Sequence, residues 1–386
     1  MFTEADLEIV LLDEVRRAIE ENIGRRAEDV ALDKRVPHAA VVATQVKRLQ
    51  RAASKLPSLY AARAILPPLA YEQSSSEECA ARKRMEGHSV LDLTCGLGID
   101  TLALARRFER VVALERNEVL VRVVRENMRR LGVTNVEVVC CSAEEYLASC
   151  EEHFDWCFVD PDRRGVRGEK LFRLEECSPD VLSLRSRIAE VADCLCVKCS
   201  PLFDVGEAFR LFGACEVEVV SLGGECKEVN IYLGTGRSLL SAVALGCGEL
   251  TVEDESVLAN VAWSALPESL DDYRYLILPD VAVRHARLVA AMLRGRADVW
   301  SNDGVALSVL PPDGVLGRVE EIEEVMPFDA KLLKRRLKGR RIELLQRAFP
   351  LSNGELCRRL GVREGAEERW CFTTIGRKMF AIKVKN

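Results

Sequence analysis

The spacing of apolar residues changes character twice along the chain. Up to residue 87 they recur every three or four positions, as at Leu7, Val10, Leu11 and Val15, and prolines interrupt the pattern. Such spacing predicts short amphipathic helices. We therefore expect a helical region over residues 1–87, whose last helix begins at Glu77 after serines that can cap it.

Residues 88–236 alternate short apolar segments with amphipathic ones. Segments that are apolar on both faces and alternate with helices indicate βαβ units in a mostly parallel sheet. The expected strands are Ser89–Leu93, Val111–Glu115, Val136–Cys141, Asp155–Val159 and Asp193–Lys198. The expected helices are Asp100–Phe108, Glu118–Leu131, Ala143–Cys150 and Val181–Ala192. A closing antiparallel pair, Val217–Ser221 and Val229–Gly234, would bring the sheet to seven strands, so the expected fold class is α/β.

The alternation fades after residue 236. Residues 237–320 mix short strands with one clear helix, which we expect at Val281–Leu293. Residues 321–386 form a highly charged tail. Acidic side chains crowd positions 320–324, and eight basic side chains against one acid, Glu343, follow between 331 and 347.

This basic run matters because the chain as a whole is acidic, with a net charge of −6. A polyanion would need a local basic patch, and the tail supplies one. We expect phosphate-backbone contacts from Lys334, Arg335, Arg336, Arg340 and Arg341. The alternative is a solvated helix face across which the acids at 320–324 lie.

Composition excludes several classes of protein. With 48% hydrophobic and 30% charged residues, the chain is neither disordered nor collagen-like. Its longest uncharged stretch has 12 residues, too few for a membrane helix. The 15 cysteines are scattered, and the first residues carry acids where an export signal needs bases. We therefore expect reduced thiols and a cytoplasmic protein, without a bound metal.

A glycine-rich turn follows the first expected strand. Asp92 ends this strand, and Gly96 and Gly98 come before the next helix. Glycines at such a turn let the backbone approach a ligand closely. The dinucleotide fingerprint needs a third glycine where Thr101 stands, and the Asp92 carboxylate suits a cationic amino group better than a phosphate.

Glu115 ends the second strand, 19 residues after Gly96. A carboxylate at this offset accepts hydrogen bonds from a ribose diol. A ligand with a charged amino acid end and a nucleoside end fits both features, and S-adenosyl-L-methionine is such a ligand. The alternative is a similar fold with a glycine turn and no nucleotide.

Two candidates for the reacting side of the site follow the fourth and fifth strands. Asp160-Pro161 precedes Arg163 and Arg164, which suit phosphate clamping or base stacking, or else pair with nearby acids and stiffen the loop. Cys199 stands in Lys198-Cys-Ser-Pro201, which locally resembles the catalytic-cysteine motif of uracil-5-methyltransferases. The alternative for Cys199 is a small apolar side chain on a buried strand.

These motifs together resemble the class I S-adenosylmethionine-dependent methyltransferases, over about Gly87–Gly236. In that family the third strand usually ends in Asp, whereas Ser142-Ala143 stands here. The resemblance implies a cofactor site formed by Asp92, Thr94, Gly96, Gly98, Asp100, Glu115, Arg116, Ser142, Ala143 and Asp160. It implies catalytic roles for Asp160, Arg163 and Cys199.

Further stretches resemble one bacterial family of such enzymes with a C-terminal THUMP-like domain. They include Glu72-Gln-Ser-Ser-Ser-Glu77, Glu225-Cys-Lys-Glu228, Arg347-Ala-Phe-Pro350 and Phe372-Thr-Thr374. The resemblance implies four segments: helical 1–87, catalytic 88–236, a linker and ferredoxin-like segment 237–320, and a THUMP-like RNA-binding domain 321–386. We expect methylation of a base in structured RNA, tRNA or rRNA. A non-catalytic cofactor-binding RNA-binding protein and a small-molecule methyltransferase are the alternatives.

Overall fold

The computed structural model describes residues 2–162, 174–253, 258 and 261–385. The chain divides into two compact units, Met1–Phe203 with Asn230–Gly236, and Asp204–Val229 with Arg237–Asn386. Each unit has its own buried core.

The first unit begins with short helices, as the apolar spacing predicts. They are α1 (Glu4–Leu11), α2 (Asp13–Asn22), α3 (Ala27–Leu32), α4 (Ala39–Lys55), α5 (Pro57–Ala61), α6 (Pro68–Gln73) and α7 (Glu77–Arg82). Ser76 caps α7, because its hydroxyl accepts the backbone N–H of Cys79 at 3.2 Å. Their apolar faces share one core with the helices that follow β1 and β2.

A parallel sheet follows, with helices between its strands. The strands are β1 (Gly87–Asp92), β2 (Phe108–Glu115), β3 (Val136–Cys140), β4 (Phe154–Val159) and β5 (Ala192–Cys199). The helices are α8 (Ile99–Ala105), α9 (Glu118–Arg130), α10 (Ala143–Ser149) and α11 (Val181–Val191). All are within a few residues of their predicted bounds. The inner residues of β1 and β5 are buried, as strands covered on both faces require.

In the strand order β3-β2-β1-β4-β5, strands that end in different functional side chains lie next to one another. Asp92 pairs in register with Ala113 of β2 and Phe158 of β4, and Val159 pairs with Val197 of β5. Because all five strands run parallel, the residues after each strand meet at one edge of the sheet. This edge positions the candidate site.

Asn127 fastens the helical region to the sheet layer. Its amide oxygen accepts the backbone N–H of Ile65 at 2.8 Å, and its amide nitrogen donates to the Ile65 carbonyl at 2.9 Å. Asn127 is buried, so both contacts replace hydrogen bonds to water that burial removes. The N-terminal helices and α9 are therefore joined by polar as well as apolar contacts.

The second unit begins with α12 (Val205–Phe212) and the strands β6 (Glu216–Leu222), β8 (Leu239–Ala244) and β9 (Gly248–Val252), while β7 spans Glu225–Leu233. β6 pairs in parallel with β8, and β8 pairs antiparallel with β9. The sequence predicts short strands within residues 237–320 but does not count β8 and β9 with the sheet; because β8 pairs with the predicted strand β6, the total of seven strands is too low. Both strands follow tight glycine turns and lack an intervening helix, which hides them from a βα rhythm.

The single helix expected over Val281–Leu293 is two helices, α13 (Val281–His285) and α14 (Val289–Leu293). Arg287 lies between them with a φ of 58°, in the left-handed region that ends helices. The Leu288 N–H turns back to the Val283 carbonyl at 2.9 Å. The apolar spacing continues through this break, which is why periodicity alone does not reveal it.

The remaining elements build an eight-stranded sheet with two helices. Its strands are β10 (Tyr275–Pro279), β11 (Asp298–Val299), β12 (Ala306–Ser308), β13 (Gly317–Pro327), β14 (Arg341–Arg347), β15 (Arg363–Glu364), β16 (Glu368–Ile375) and β17 (Lys378–Val384). The order is β11-β12-β10-β13-β17-β16-β14-β15. Helices α15 (Ala330–Leu337) and α16 (Asn353–Leu360) bury leucines against Trp370 and Phe372. Among the described residues, no helix is long and apolar enough to span a membrane.

Candidate functional site

Asp92 is the last residue of β1, and its side chain holds the turn that follows through hydrogen bonds. Its side chain is fully buried. One carboxylate oxygen accepts the Thr94 N–H at 2.9 Å, and the other accepts the Thr101 hydroxyl at 2.6 Å. Burial raises the pKa of Asp92 to about 7, although both hydrogen bonds act in the opposite direction. The carboxylate that we expected to face an amino group is thus held by the loop's own donors.

The two glycines give the turn its shape. Gly96 has a φ of 56°, and a Cβ built there would meet only the Thr94 carbonyl oxygen, 3.9 Å away. Gly98 has a φ of 81°, and a Cβ there would lie 3.0 Å from Met128 and 3.1 Å from Val124 of α9. Left-handed backbone and close packing therefore require glycine at 98, while the backbone at 96 faces open space.

Glu115 lies beside this turn, as predicted from its position at the end of β2. One of its oxygens accepts the Gly96 N–H at 3.2 Å, and the other accepts the Asn117 N–H at 2.7 Å. Burial raises the pKa of Glu115, and the same two hydrogen bonds offset part of the rise. Glu115 thus links the turns after β1 and β2, and its neighbour Arg116 is exposed.

Ser142 begins α10 after the third strand. Its hydroxyl accepts the Glu145 N–H at 3.2 Å, and the Glu145 carboxylate accepts the Ser142 N–H at 3.0 Å. This reciprocal pair is a capping box, and Ala143 next to it is buried. Ser142 therefore has a structural task at the place where related enzymes usually carry Asp.

Lys198 reaches across the same edge and joins residues far apart in the chain. Its ammonium group donates to Asp160 at 2.6 Å, to Asp100 at 3.2 Å and to the Ser75 hydroxyl at 2.6 Å. The Lys198 side chain is 10% exposed, and that of Asp160 is 29% exposed. A nearly buried cation is thus shared by two carboxylates of which one, Asp160, is open to solvent.

Further contacts fix both carboxylates. Lys83, also buried, lies 3.0 Å from Asp100. Burial would raise the pKa of Asp100, but the ammonium groups of Lys198 and Lys83 outweigh burial and hold it well below its usual range. The Asp160 N–H donates to the Thr94 hydroxyl at 2.7 Å, which ties the loop after β4 to the glycine turn.

The sequence predicts Asp100 and Asp160 as site residues but does not predict their partners Lys83, Ser75 and Lys198. Ser75 precedes α7, and Lys198, the second-to-last residue of β5, comes 123 positions later. A single lysine near the end of an apolar strand is the signal that was available. The contacts themselves need the tertiary fold.

Two predicted catalytic residues have different outcomes. Arg163, with Arg164 after it, lies outside the described residues. Cys199 is the last residue of β5 and is 4% exposed. Side chains alternate across a strand, so Cys199 is expected on the sheet face opposite Lys198, which reaches Asp160.

Three of the five basic residues predicted to contact RNA lie on α15, Arg340 lies just before β14, and Arg341 is the first residue of β14. Arg336 lies 2.6 Å from Glu324 and stacks over the Trp370 ring, 5.3 Å from its centroid. Arg340 pairs with Glu368. Among the described residues, no salt bridge involves Lys334, Arg335 or Arg341, and all three are exposed.

The acidic run lies mainly against other bases. Glu320 is 2.5 Å from Arg369, Glu323 is 2.6 Å from Lys383, and Glu321 pairs with Lys385. Only its last acid, Glu324, reaches the basic run. The acidic run and the basic run therefore meet in one salt bridge, Glu324–Arg336, whereas the other acids at 320–324 pair with basic residues outside the basic run.

Comparisons with known proteins agree with this architecture. Residues 90–161 match a family model described as a methyltransferase domain, and residues 317–385 match a THUMP domain-like model. Over 346 residues, 85% of this chain and 90% of the relative, the chain is 27% identical to an uncharacterized S-adenosylmethionine-dependent methyltransferase of Mycobacterium tuberculosis. The predicted combination of a methyltransferase domain and a THUMP-like domain is confirmed.

Two further similarities are informative. A crystal structure of a putative methyltransferase from Porphyromonas gingivalis W83 covers 98% of both chains, with a TM-score of 0.82 and 24% identity, which establishes the fold. A tRNA/tmRNA (uracil-C(5))-methyltransferase of Neisseria meningitidis is 28% identical over 151 residues, 33% of this chain and 40% of that protein. The predicted α/β methyltransferase fold is confirmed.

Proposed function

We propose that this chain, which carries a methyltransferase domain and a THUMP-like domain, transfers the methyl group of S-adenosyl-L-methionine to a base in structured RNA. The observation that carries the proposal is one edge of the parallel sheet. There the glycine turn after β1 meets Glu115 at the end of β2, Asp160 after β4 and Lys198 near the end of β5.

The residues present fit the cofactor. The turn at Gly96 leaves open space in front of its backbone, as a closely approaching ligand requires. Glu115 is preoriented by two backbone N–H groups, and a carboxylate there suits a ribose diol. The rest of the proposed cofactor site consists of Thr94, Asp100, Arg116, Ser142 and Ala143. The buried Asp92 side chain stabilises the turn through its hydrogen bonds. When bound, the cofactor supplies an electrophilic methyl group on a sulfonium.

The chain's own contribution to transfer is alignment. Asp160 is the partly exposed carboxylate at this edge, and we assign it the task of accepting a hydrogen bond from the acceptor base. Lys198 and the Thr94 hydroxyl hold Asp160 in place. Methyl transfer is an in-line displacement, for which positioning of the two reactants accounts for most of the rate.

The acceptor class follows from the second domain and the relatives. Domains named THUMP-like suggest structured RNA, and the Neisseria relative is a tRNA/tmRNA enzyme by name. Lys334, Arg335 and Arg341 are exposed cations without a salt bridge among the described residues, so they suit RNA phosphates. We favour tRNA or rRNA as the partner and the cytoplasm, where thiols stay reduced, as the location.

Methylation of a pyrimidine through Cys199 is the second candidate. The motif Lys198-Cys-Ser-Pro201 and the similarity to a uracil-C(5) enzyme favour it. In that chemistry the cysteine forms a covalent adduct with the base. Burial of Cys199, on a strand whose preceding residue Lys198 reaches Asp160, favours direct transfer instead. A variant Cys199→Ser that keeps its activity, and forms no adduct with 5-fluorouracil RNA, would support direct transfer.

The deciding experiment incubates the protein with radiolabelled cofactor and total RNA from cells that lack the gene. We expect label in RNA, a large loss with Asp160→Asn, and little change with Asp193→Asn, an exposed aspartate near the other end of β5. Cofactor binding without label in any RNA would favour the non-catalytic alternative. Label in a small-molecule fraction alone would favour the small-molecule alternative.

A further inference from the structure

A cavity of about 730 Å³ opens in the second unit. Its lining includes Arg284, Arg347 and Arg377, together with Asp303, Phe349 and Thr374. Three guanidinium groups and a single carboxylate give this lining a net charge of +2. A cavity with such a lining attracts anions.

The cavity lies where parallel strands end. Arg347 closes β14 and pairs in register with Thr373 of β16, and Thr374 lines the cavity. Crevices at the carboxyl ends of parallel strands are the usual ligand sites of open sheets. The location therefore agrees with the charge of the lining.

Two arginines of the cavity, Arg284 and Arg347, are half-buried, whereas Arg377 is exposed. The Nε–H groups of Arg284 and Arg347 are buried and donate to no acceptor among the described residues. Burial lowers the pKa of Arg347, and the neighbouring charge of Arg284 lowers it further. Like charges held close together in a partly buried position repel each other, and a bound anion would relieve this repulsion.

The backbone at the end of β14 is held in an unusual conformation. Ala348 has a φ of 47°, in the left-handed region that residues with a Cβ disfavour. Gln346 donates to the carbonyls of Phe349 and Leu351, and one Arg347 nitrogen donates to the Gln346 carbonyl at 2.8 Å. This turn keeps Arg347 at the cavity.

We propose that the cavity binds a phosphate group, through the guanidinium forks of Arg284 and Arg347 and the neighbouring Arg377. Arginine forks match the oxygen spacing of phosphate, and Thr374 offers a hydroxyl at the same wall. The phosphate belongs to the RNA substrate, an assignment that rests on the proposed function. The phosphate site itself rests only on the cavity and its side chains.

The site is tested on the full chain with inorganic phosphate, by thermal unfolding against chloride at equal ionic strength. We expect phosphate to raise the midpoint of the wild type, and Arg347→Gln to weaken phosphate affinity about tenfold or more, as loss of a charged hydrogen bond would. Arg359→Gln, an exposed arginine of α16, serves as the matched control and keeps the wild-type response. Without phosphate, Arg347→Gln unfolds no earlier than the wild type, since it relieves repulsion from Arg284.

Two results would overturn the site. One is a phosphate response no larger than the chloride response. The other is a phosphate response in Arg347→Gln as large as that of the wild type; Arg284→Gln serves as the second variant for the same comparison if the first folds poorly. Asp303→Asn removes the only acid of the described lining and is expected to tighten phosphate binding.

A second measurement identifies the source of the phosphate and separates this proposal from the proposed function. RNA affinity is compared in wild type, Arg347→Gln and Arg359→Gln. A loss in Arg347→Gln alone assigns the phosphate to RNA. Unchanged RNA affinity with lost phosphate response rejects the RNA assignment and keeps a site for a small phosphorylated ligand. The methyl-transfer assay reads out the proposed function independently.

Discussion

The Lys198 ammonium group, near the end of β5, lies 2.6 Å from the carboxylate of Asp160, which follows the neighbouring parallel strand β4. Lys198 is nearly buried, whereas Asp160 is 29% exposed. Lys198 thus fixes the orientation of the Asp160 carboxylate, which remains partly exposed at the site. The base that receives the methyl group can then donate a hydrogen bond to a carboxylate that is already correctly oriented.

Removal of this cation should destabilise the first unit. Lys198→Met leaves Asp160 and Asp100 without their shared partner. We expect the free energy of unfolding to fall by about 3 kcal/mol, the lower end of the range for broken buried ion pairs, because Asp160 is partly exposed. Urea unfolding at pH 7 measures the loss. Lys227→Met, which breaks an exposed pair with Glu225, should cost less than about 1 kcal/mol.

The double variant Lys198→Met with Asp160→Asn separates charge from packing. Asp100 keeps Lys83 as a partner, so the double variant removes the carboxylate most affected by the loss of Lys198 and should recover part of the stability lost in the single variant. Equal instability of the single and double variants would mean that Lys198 stabilises the fold through its packing alone.

Glu115 should contribute directly to cofactor binding. Glu115→Ala is expected to weaken S-adenosyl-L-methionine binding by about 1.5–3 kcal/mol, the range for hydrogen bonds to a charged group. Calorimetry on Glu115→Ala and on Glu118→Ala, an exposed acid three residues later, makes the comparison. Unchanged affinity in Glu115→Ala would remove it from the ribose site. Because Glu115 also accepts the Gly96 N–H, a thermal scan must accompany the titration.

Asp92 should impose a pH dependence on stability. Burial raises its pKa to about 7, from 3.8 in the unfolded chain. The folded state therefore holds a proton that the unfolded state has lost between about pH 4 and 7, so the Asp92 contribution to stability falls as pH rises through that window. A rise of about three pKa units corresponds to roughly 4 kcal/mol.

Asp92→Asn isolates this effect from the other titrating groups. An asparagine oxygen can still accept the Thr94 N–H, and its nitrogen can donate to the Thr101 hydroxyl, so the loop contacts persist. We expect similar unfolding free energies for variant and wild type near pH 4. By pH 8 the free energy of unfolding of the variant should exceed that of the wild type. A difference that is constant with pH would show that Asp92 stays ionised in the fold.

The sequence predicts the fold's first half well because its signals are local. Each apolar run before Asp92, Glu115 and Asp160 predicts a strand, and parallel strands bring such ends to one edge. The partners of Asp160 were not predictable in this way. Ser75, Lys83 and Lys198 belong to three separate segments, and only the packed structure brings them together.

The second half shows a different limit. Arg287 breaks a continuous apolar pattern through a backbone angle, which side-chain spacing does not encode. The cavity arginines Arg284 and Arg347 are 63 positions apart, and each alone looks like an ordinary surface charge. Pairing of Arg336 with Glu324 and Arg340 with Glu368 likewise divides a basic run that looks uniform in sequence.

This division makes the tail's contribution to RNA binding testable residue by residue. Lys334, Arg335 and Arg341 are exposed and take part in no salt bridge among the described residues. Their replacement by glutamate should weaken RNA binding and flatten its salt dependence. Each lost phosphate contact should lower the slope of log affinity against log salt by about 0.7 to 0.9. Cofactor affinity should not change.

Replacement of Arg336 and Arg340 by glutamate should act mainly on stability. Each new carboxylate would face an existing one, Glu324 or Glu368, and Arg336 would lose its stacking on Trp370. Like charges at such distances destabilise, so the thermal midpoint should fall. RNA titrations at two or more salt concentrations, on the triple and the double variant, compare the two sets. An unchanged salt slope in the triple variant would remove these three residues from the RNA interface, whatever the double variant does.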